Sequence, residues 1–388
     1  MIEFSANIKT RSNNKKYKLF HIPKKVREGY SIKINEMFLI SLENCIFYSK
    51  VCGSNDGSKY VNIPLKIANK LVENKFAKIK FLKKSIKPKN MIRIVKISSN
   101  LYLDMLFALS ENQIHCKKKI HVFENKNSLM VTAAGNCKIV KIPRFILLDK
   151  EFFQVMGLYQ AEGYKKIPNR GARVLFVNSN IDLVLLFKKW IETRLKQKNW
   201  EAHIYYRGNG RDHKKLLEYW SSETGLLKEV FRKTIFYPRI GNKSGAYGIL
   251  NIRILSSVLA EIVLKILNCA KNLALSKKEY AIYFLSGLLA GDAHVKLMRY
   301  KNRTSIQMVE LAAQYGEEGE FYKKLLKKIG IKFKDRTNVN SKNSKIIITH
   351  WDNFNKLARY KCFDLHPKKK DDFWLGYSQH TKTTSLRL

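Results

Sequence analysis

The sequence predicts an α+β protein: two pseudo-symmetric halves of mixed helices and strands behind a β-rich N-terminal extension. Three observations predict it. Two apolar nonapeptides, Val155-Met-Gly-Leu-Tyr-Gln-Ala-Glu-Gly163 and Leu285-Ser-Gly-Leu-Leu-Ala-Gly-Asp-Ala293, repeat one pattern 130 residues apart. Strand-like and helix-like stretches follow each of them in a comparable order. Before them, three segments share an Ile-Pro core. The implied divisions are residues 1–90, 91–137, 138–275 and 276–388.

The Ile-Pro segments are Lys18-Leu-Phe-His-Ile-Pro-Lys-Lys-Val26, Lys59-Tyr-Val-Asn-Ile-Pro-Leu-Lys-Ile67 and Lys138-Ile-Val-Lys-Ile-Pro-Arg-Phe-Ile146. In each, an extended run meets a proline whose fixed φ favours a strand-to-helix transition. The first two continue through a short helical turn into a further strand, 32–42 and 76–83. That strand–Pro–turn–strand unit looks like the swapped-hairpin DNA-binding domains of the AbrB type. A small β-rich appendage packed on the main domain is the alternative. Lys83-Lys-Ser-Ile-Lys-Pro-Lys-Asn90 reads as a basic linker. Residues 91–137 read as β-rich, with turns at 124–127 and 134–136.

The first half opens near Lys138. Asp149 is the expected N-cap, with Glu151 in the first turn, of a helix that Gly163 would stop in a left-handed conformation. Ser276-Lys-Lys-Glu279 reads as a capping box opening the second motif helix. Between the motifs, periodicity gives strands 172–178, 200–208 and 246–254 and helices 180–197, 212–227 and 255–269. After the second motif come strands 293–300, 303–311, 331–338 and 344–350, with helices 317–329 and 351–360. The first half carries an insertion around residues 212–244.

In each nonapeptide small residues stand four apart, Gly157/Ala161 and Gly287/Gly291. They share one helix face and let two backbones approach closely. An acid closes each helix, Glu162 and Asp292, where the macrodipole is negative and an acid is badly placed. Two such acids behind two packing faces point to carboxylates side by side around a hard cation. Carboxylates in close contact repel, and one protonates unless cations neutralise them. Oxygen ligands, the Ala161 and Gly291 carbonyls included, suit Mg²⁺, which activates water and stabilises the oxygens of a phosphodiester. One acid alone would simply point to solvent; the pair is what argues for chemistry.

These residues resemble the LAGLIDADG family of homing endonucleases. Leu285, Gly287, Leu288 and Asp292 stand at the family's positions, as do Gly157, Leu158, Ala161 and Gly163, with Glu162 as the acid. Gln160 and Ala290 occupy positions where an acid is common, and Ala293 replaces the final glycine. The resemblance spans about residues 138–385 and implies two αββαββα halves with saddle sheets, the motif helices side by side at the centre. It implies a single-chain, monomeric endonuclease, encoded within an intron or standing alone. Such an enzyme cuts double-stranded DNA at a long asymmetric site, using Mg²⁺ (Mn²⁺ substituting) at Glu162 and Asp292, one acid per strand. It also implies a basic residue near each metal site: Lys370 in the Lys368–Lys370 run, and Lys271, Lys277 or Lys278 in the first half.

Several strands alternate so that one face carries side chains able to reach bases. Glu201, His203, Tyr205 and Arg207 share one side, and Tyr247, Asn251 and Arg253 another. In the second half His294 with Lys296, then Arg303, Ser305 and Gln307, then Lys332, Lys334 and Arg336, then Lys345 and Thr349 form similar stripes. With Arg173 these supply the candidate DNA contacts, since Arg reads guanine and Asn or Gln reads adenine. One stripe alone would be a solvated sheet face. Repetition in both halves favours DNA.

Charge narrows the partner. The chain has 74 Lys and Arg against 31 Asp and Glu, a net +43, which repels itself unless a polyanion is the usual partner. Part of this is composition, since Lys outnumbers Arg roughly three to one. No basic amphipathic helix stands apart for a membrane surface. The longest apolar stretch, 249–267, is broken by Arg253, Glu261 and Lys265. Met1-Ile-Glu-Phe lacks the start of a signal peptide, so a cytoplasmic location is expected. The six cysteines lack C-x-x-C spacing and read as reduced thiols, and His115, Cys116, His121 and Cys137 would hold zinc awkwardly. Trp190, Trp200, Trp220, Trp351 and Trp374 read as core or interface aromatics. Two rival functions share the fold: a DNA-binding regulator that has lost cleavage, and a splicing maturase that grips intron RNA through shape and backbone.

Overall fold

The computed structural model describes residues 2–11, 14–42, 45–54, 56–69, 71, 76–83, 92–109, 114–115, 118–125, 127–133, 138–165, 172–206, 213–236, 247–300, 303–338 and 343–385. They form two compact units. The first is drawn from residues 1–91, 105–113 and 119–145, the second from 92–104, 114–118 and 146–388.

Alternating apolar residues make six strands in the first unit: β1 (Ile2–Arg11), β2 (Asn14–His21), β3 (Met37–Leu42), β4 (Cys45–Gly53), β5 (Lys59–Ile63) and β6 (Phe76–Lys83). They close into a barrel in the order β1-β2-β5-β4-β3-β6. Closure leaves no exposed strand edge. The Phe81 ring lies 5.0 Å from Phe4 and 4.8 Å from Phe38 in its core. Pro23 and Pro64, both at φ −55°, turn β2 and β5 into short helices, α1 (Lys24–Gly29) and α2 (Leu65–Ala68). The strand–Pro–turn–strand unit therefore occurs twice, and exchanging β1, β2, β3 for β4, β5, β6 leaves every neighbour relation in the barrel unchanged. Side chains obey the same exchange. Lys18 donates to the Leu71 carbonyl beyond α2, and Lys59, its counterpart, donates to the Ile32 carbonyl beyond α1.

In chain order β7 (Ile94–Ile97), β8 (Asn100–Asp104), α3 (Met105–Ala108), β9 (Ile114–His115), β10 (Lys118–Asn125), β11 (Ser128–Ala133), β12 (Val140–Pro143) and β13 (Phe145–Leu147) follow. Strands β10, β11 and β12 pair antiparallel. The third Ile-Pro segment makes no strand-to-helix transition. Pro143 ends β12, an edge strand, where its missing N–H costs no ladder bond, and the chain goes on into β13. The basic linker 84–90, the turn 134–136, Cys116, Cys137 and Arg207 lie outside the described residues.

In the second unit α4 (Lys150–Glu162) is capped as its sequence implies, the Phe152 N–H donating to Asp149 at 2.8 Å. Strand β14 (Val174–Asn178), helix α5 (Ile181–Arg194), strand β15 (Glu201–Tyr206), helix α6 (His213–Thr224), strands β16 (Phe231–Phe236) and β17 (Ile249–Ile254) and helix α7 (Ser257–Ser276) come next. Their sheet runs β14-β17-β15-β16. Then come α8 (Lys278–Asp292), β18 (Ala293–Tyr300), β19 (Arg303–Gln314), α9 (Glu317–Lys328), β20 (Lys334–Asn338), β21 (Asn343–Ile348), α10 (Trp351–Arg359) and α11 (Pro367–Ser385). This sheet runs β18-β19-β21-β20.

Three elements differ from the sequence reading. Strand β16 lies in the insertion and pairs parallel to β15. Helix α7 persists to Ser276 because Leu267, Ala270, Leu273 and Ala274 keep burying one face. Ser276 therefore opens no capping box; its hydroxyl donates to the Leu273 carbonyl at 2.7 Å, and Lys277 precedes α8. Helix α11 is additional. Pro367 suits its first turn, and Gly376 lets it lie on the sheet, where a Cβ would stand 2.8 Å from Ile306 and Leu297 side chains.

Candidate active site

Helices α4 and α8 touch backbone to backbone. A Cβ on Gly157 would overlap the Phe284 carbonyl oxygen, and one on Gly287 the Gln154 carbonyl oxygen. One on Gly291 would overlap the Ala161 Cβ and stand 3.6 Å from a Glu162 carboxylate oxygen. Phe153 and Tyr280 stack across the same seam at 4.3 Å. The spacing of small residues thus yields a close crossing, and the crossing puts the two helix C-termini together.

Glu162 and Asp292 are the last residues of those helices. Glu162 accepts a hydrogen bond from Asn178 Nδ2 at 3.0 Å, and Asp292 one from the Tyr322 hydroxyl at 3.2 Å. Burial, then the charge of Asp292, pushes the Glu162 carboxyl up from 4.5 to about 7, against the pull of Lys369 and Lys165. Burial pushes Asp292 up from 3.8 to about 6; Lys165 and Tyr322 oppose it, and Glu318 adds to it. Gly163 leaves α4 at φ −81° and ψ 153°, not in the expected left-handed conformation. Ala293 leaves α8 at −84° and 147°. Glycine is needed at 163 for room, because a Cβ would overlap the Tyr159 ring. Leu289 stands at the corresponding place in α8, and alanine at 293 fits.

Two ammonium groups cover the helix ends, whose last carbonyls have no intrahelical partner. Lys369, in the first turn of α11, donates to the Ala290 and Gly291 carbonyls at 2.7 and 2.6 Å. Lys165 donates to the Gln160 carbonyl and, at 2.7 Å, to Glu318. Gln160 Nε2 also donates to Glu318, at 2.6 Å. Lys370 is exposed on the next position of α11. Lys271, Lys277 and Lys278 lie over the rings of Phe321, Tyr280 and Tyr360. Sequence reasoning missed Lys165, Asn178, Glu318 and Tyr322, and within the Lys368–Lys370 run it chose Lys370 where Lys369 reaches the site. One signal was available: Gln160, standing where an acid is common, is completed by an acid from elsewhere.

Among the described residues no group of three or more His, Cys, Asp or Glu could hold a metal. The site offers two carboxylates; of the two carbonyls expected as ligands, that of Gly291 is already taken by the Lys369 ammonium. Burial raises both carboxyls against the pull of the two lysines, and a divalent cation would offset that cost; an all-oxygen donor set fits Mg²⁺. Both acids keep protons in the native state where the unfolded chain has lost them. Stability therefore falls as pH rises from about 4 to about 7 and levels off above. Each tenfold difference in proton affinity between the folded and unfolded chain costs about 1.4 kcal/mol. In EDTA, Glu162→Gln is expected to melt above wild type at about pH 8 and level with it below about pH 4. The same gap at both pH values in a thermal scan would contradict this.

On the first sheet the predicted stripe bonds to itself. Arg253 donates to Glu201 at 3.1 Å and to His203 Nε2 at 2.7 Å, and Asn251 donates to the Tyr205 hydroxyl at 3.4 Å. Burial, then Arg253, lowers the His203 pKa, which keeps the ring neutral to accept. Arg173 Nε and Asn251 Oδ1 are buried without a hydrogen-bond partner. On the second sheet Lys296, Arg303, Gln307, Lys334 and Arg336 are exposed, as is Lys332 just before β20. Lys345 pairs with Glu310 at 2.8 Å. The β18–β19 register skips Gln307. A bulge of this kind re-aims side chains.

No family model matches the chain, and no curated protein matches it. Solved structures similar to it include a lysine-to-alanine mutant of I-SmaMI, at 10% identity over 61% of this chain and 96% of that chain, with a TM-score of 0.31. Another is the meganuclease I-SmaMI bound to uncleaveable DNA with a TTCT central four, at 11% identity over 61% and 96%, TM-score 0.27. A third is I-SmaMI bound to an uncleaved DNA target in the presence of calcium ions, at 13% identity over 54% and 84%, TM-score 0.26. Scores this low do not establish a shared fold.

Proposed function

We propose that this chain is a divalent-metal-dependent endonuclease that cuts double-stranded DNA at a long asymmetric site. One observation carries the reading: two acids stand at adjacent helix C-termini, joined by a glycine-lined crossing. The order of elements supports it. In the first half α4 leads to a bridge from Gly163 to Phe176, then β14, α5, β15, β17 and α7. In the second, α8 leads to β18, β19, α9, β20, β21 and α10. With α6 and β16 as an insertion, the two sheets run in the same order, as expected of pseudo-symmetric copies.

Glu162 and Asp292 would hold Mg²⁺, with the Ala161 carbonyl as a further oxygen donor. Bound there, the ion supplies a more acidic water and Lewis acidity toward a phosphodiester. Asn178 and Tyr322 orient the two carboxylates, and Lys165 and Lys369 stand where they can offset charge on a phosphate. The net charge draws a polyanion. The unpartnered Arg173 Nε could donate to a base or phosphate oxygen, and Asn251 Oδ1 could accept from a base amino group. One sheet bonded to itself and one with exposed cationic side chains favour a target whose two halves differ.

The test incubates the protein with Mg²⁺ and a pool of long duplexes. Cleavage of a subset, abolished by EDTA, is expected. Salt-sensitive binding with no cuts under any divalent ion overturns the proposal in favour of a regulator. Preference for folded intron RNA overturns it in favour of a maturase.

A further inference from the structure

We propose that Glu318 is a positioning residue that draws the Lys165 ammonium off the Glu162–Asp292 pair and so keeps both carboxylates open to a divalent cation. The inference rests on the metal-binding reading above and assigns a role to a residue outside it. Glu318 lies in the first turn of α9, and its side chain is only 15% exposed. One carboxylate oxygen accepts from Lys165 Nζ at 2.7 Å and from Gln160 Nε2 at 2.6 Å; the other accepts from the Gln314 N–H at 2.7 Å. A carboxylate anchored to backbone and side chain in this way is fixed in place.

Lys165 follows Glu162 by three residues, and its charge acts on both acids. A tethered ammonium next to two carboxylates competes with any metal ion. Glu318 is the anion that holds it aside. It comes from the second half, whereas Lys165 and Gln160 come from the first, so the latch spans the helix crossing. The other helix end is arranged differently, with Lys369 held by carbonyls of α8. Glu318→Gln keeps the shape and removes the charge that holds Lys165. The released ammonium then falls on the nearest remaining anions, the acid pair.

The full chain is titrated with Mn²⁺, and free ion is read by electron paramagnetic resonance. The proteins compared are wild type, Glu162→Gln, Glu318→Gln and the double variant Lys165→Met/Glu318→Gln. Glu318→Gln is expected to weaken Mn²⁺ binding roughly tenfold or more, and the double variant to regain wild-type affinity. If Glu318→Gln binds as wild type does, or the double variant stays as weak as Glu318→Gln, the inference is overturned; the second result would make Glu318 a ligand. Wild type without a Mn²⁺ site sensitive to Glu162→Gln overturns the metal-binding reading and this inference together. Sensitivity to Glu162→Gln without sensitivity to Glu318→Gln overturns this inference alone.

Discussion

Gly287→Ala is expected to destabilise the second unit by about 2–3 kcal/mol, at the upper end for an overpacked core. The new Cβ would overlap the Gln154 carbonyl oxygen and stand 2.8 Å from the Leu158 nitrogen. Both neighbours are helical backbone, which cannot swing aside as a side-chain tip can. Relief requires α4 and α8 to separate, which loosens the seam that Phe153, Leu158, Phe284 and Leu288 bury. Alanine's better helix propensity, about 1 kcal/mol, offsets part of the cost. Gly29 is a control, since a Cβ there meets nothing within 4 Å. Urea midpoints for the two variants check this. An unchanged midpoint in Gly287→Ala would mean that the helices do not cross in contact.

Glu162→Gln and Asp292→Asn are each expected to lower double-strand cleavage by roughly a thousandfold while leaving one strand cut. Each change keeps side-chain size and removes one negative charge from the cation site. Because the acids come from different halves and have different partners, Asn178 and Tyr322, each is expected to serve one scissile strand. On a supercoiled plasmid bearing a cleaved site, each single variant gives open circles and the double variant leaves the plasmid intact. Linear product at the wild-type rate from either variant would remove that acid from the chemistry.

The sequence showed the repeats well and the cross-chain partners poorly, for a physical reason. Small residues four apart and a closing acid are local signals, so the α4–α8 crossing and its acids were legible in the chain alone. The Ile-Pro repeat likewise marked the strand-to-helix turns at Pro23 and Pro64, but not at Pro143, where pairing on a sheet edge decides the conformation. Strand β16 was missed because it forms only by lying beside β15. Helix α11 was missed because, among its described residues, only Phe373 and Gly376 are buried, too few to show a period. Glu318 lies 158 residues from Gln160, and no local pattern announces that bond. The lysines show the same limit. The run Lys368–Lys370 marked the right region, but helical phase within α11 turns Lys369 onto the α8 carbonyls.

The proposed cleavage requires Glu162 and Asp292 to hold a divalent cation together at the joined ends of their helices. Anomalous scattering from a crystal soaked in Mn²⁺ decides whether they do. Density is expected about 2 Å from carboxylate oxygens of both residues, at the joined ends of α4 and α8. Density elsewhere, or carboxylates standing apart with no ion between them, would contradict it.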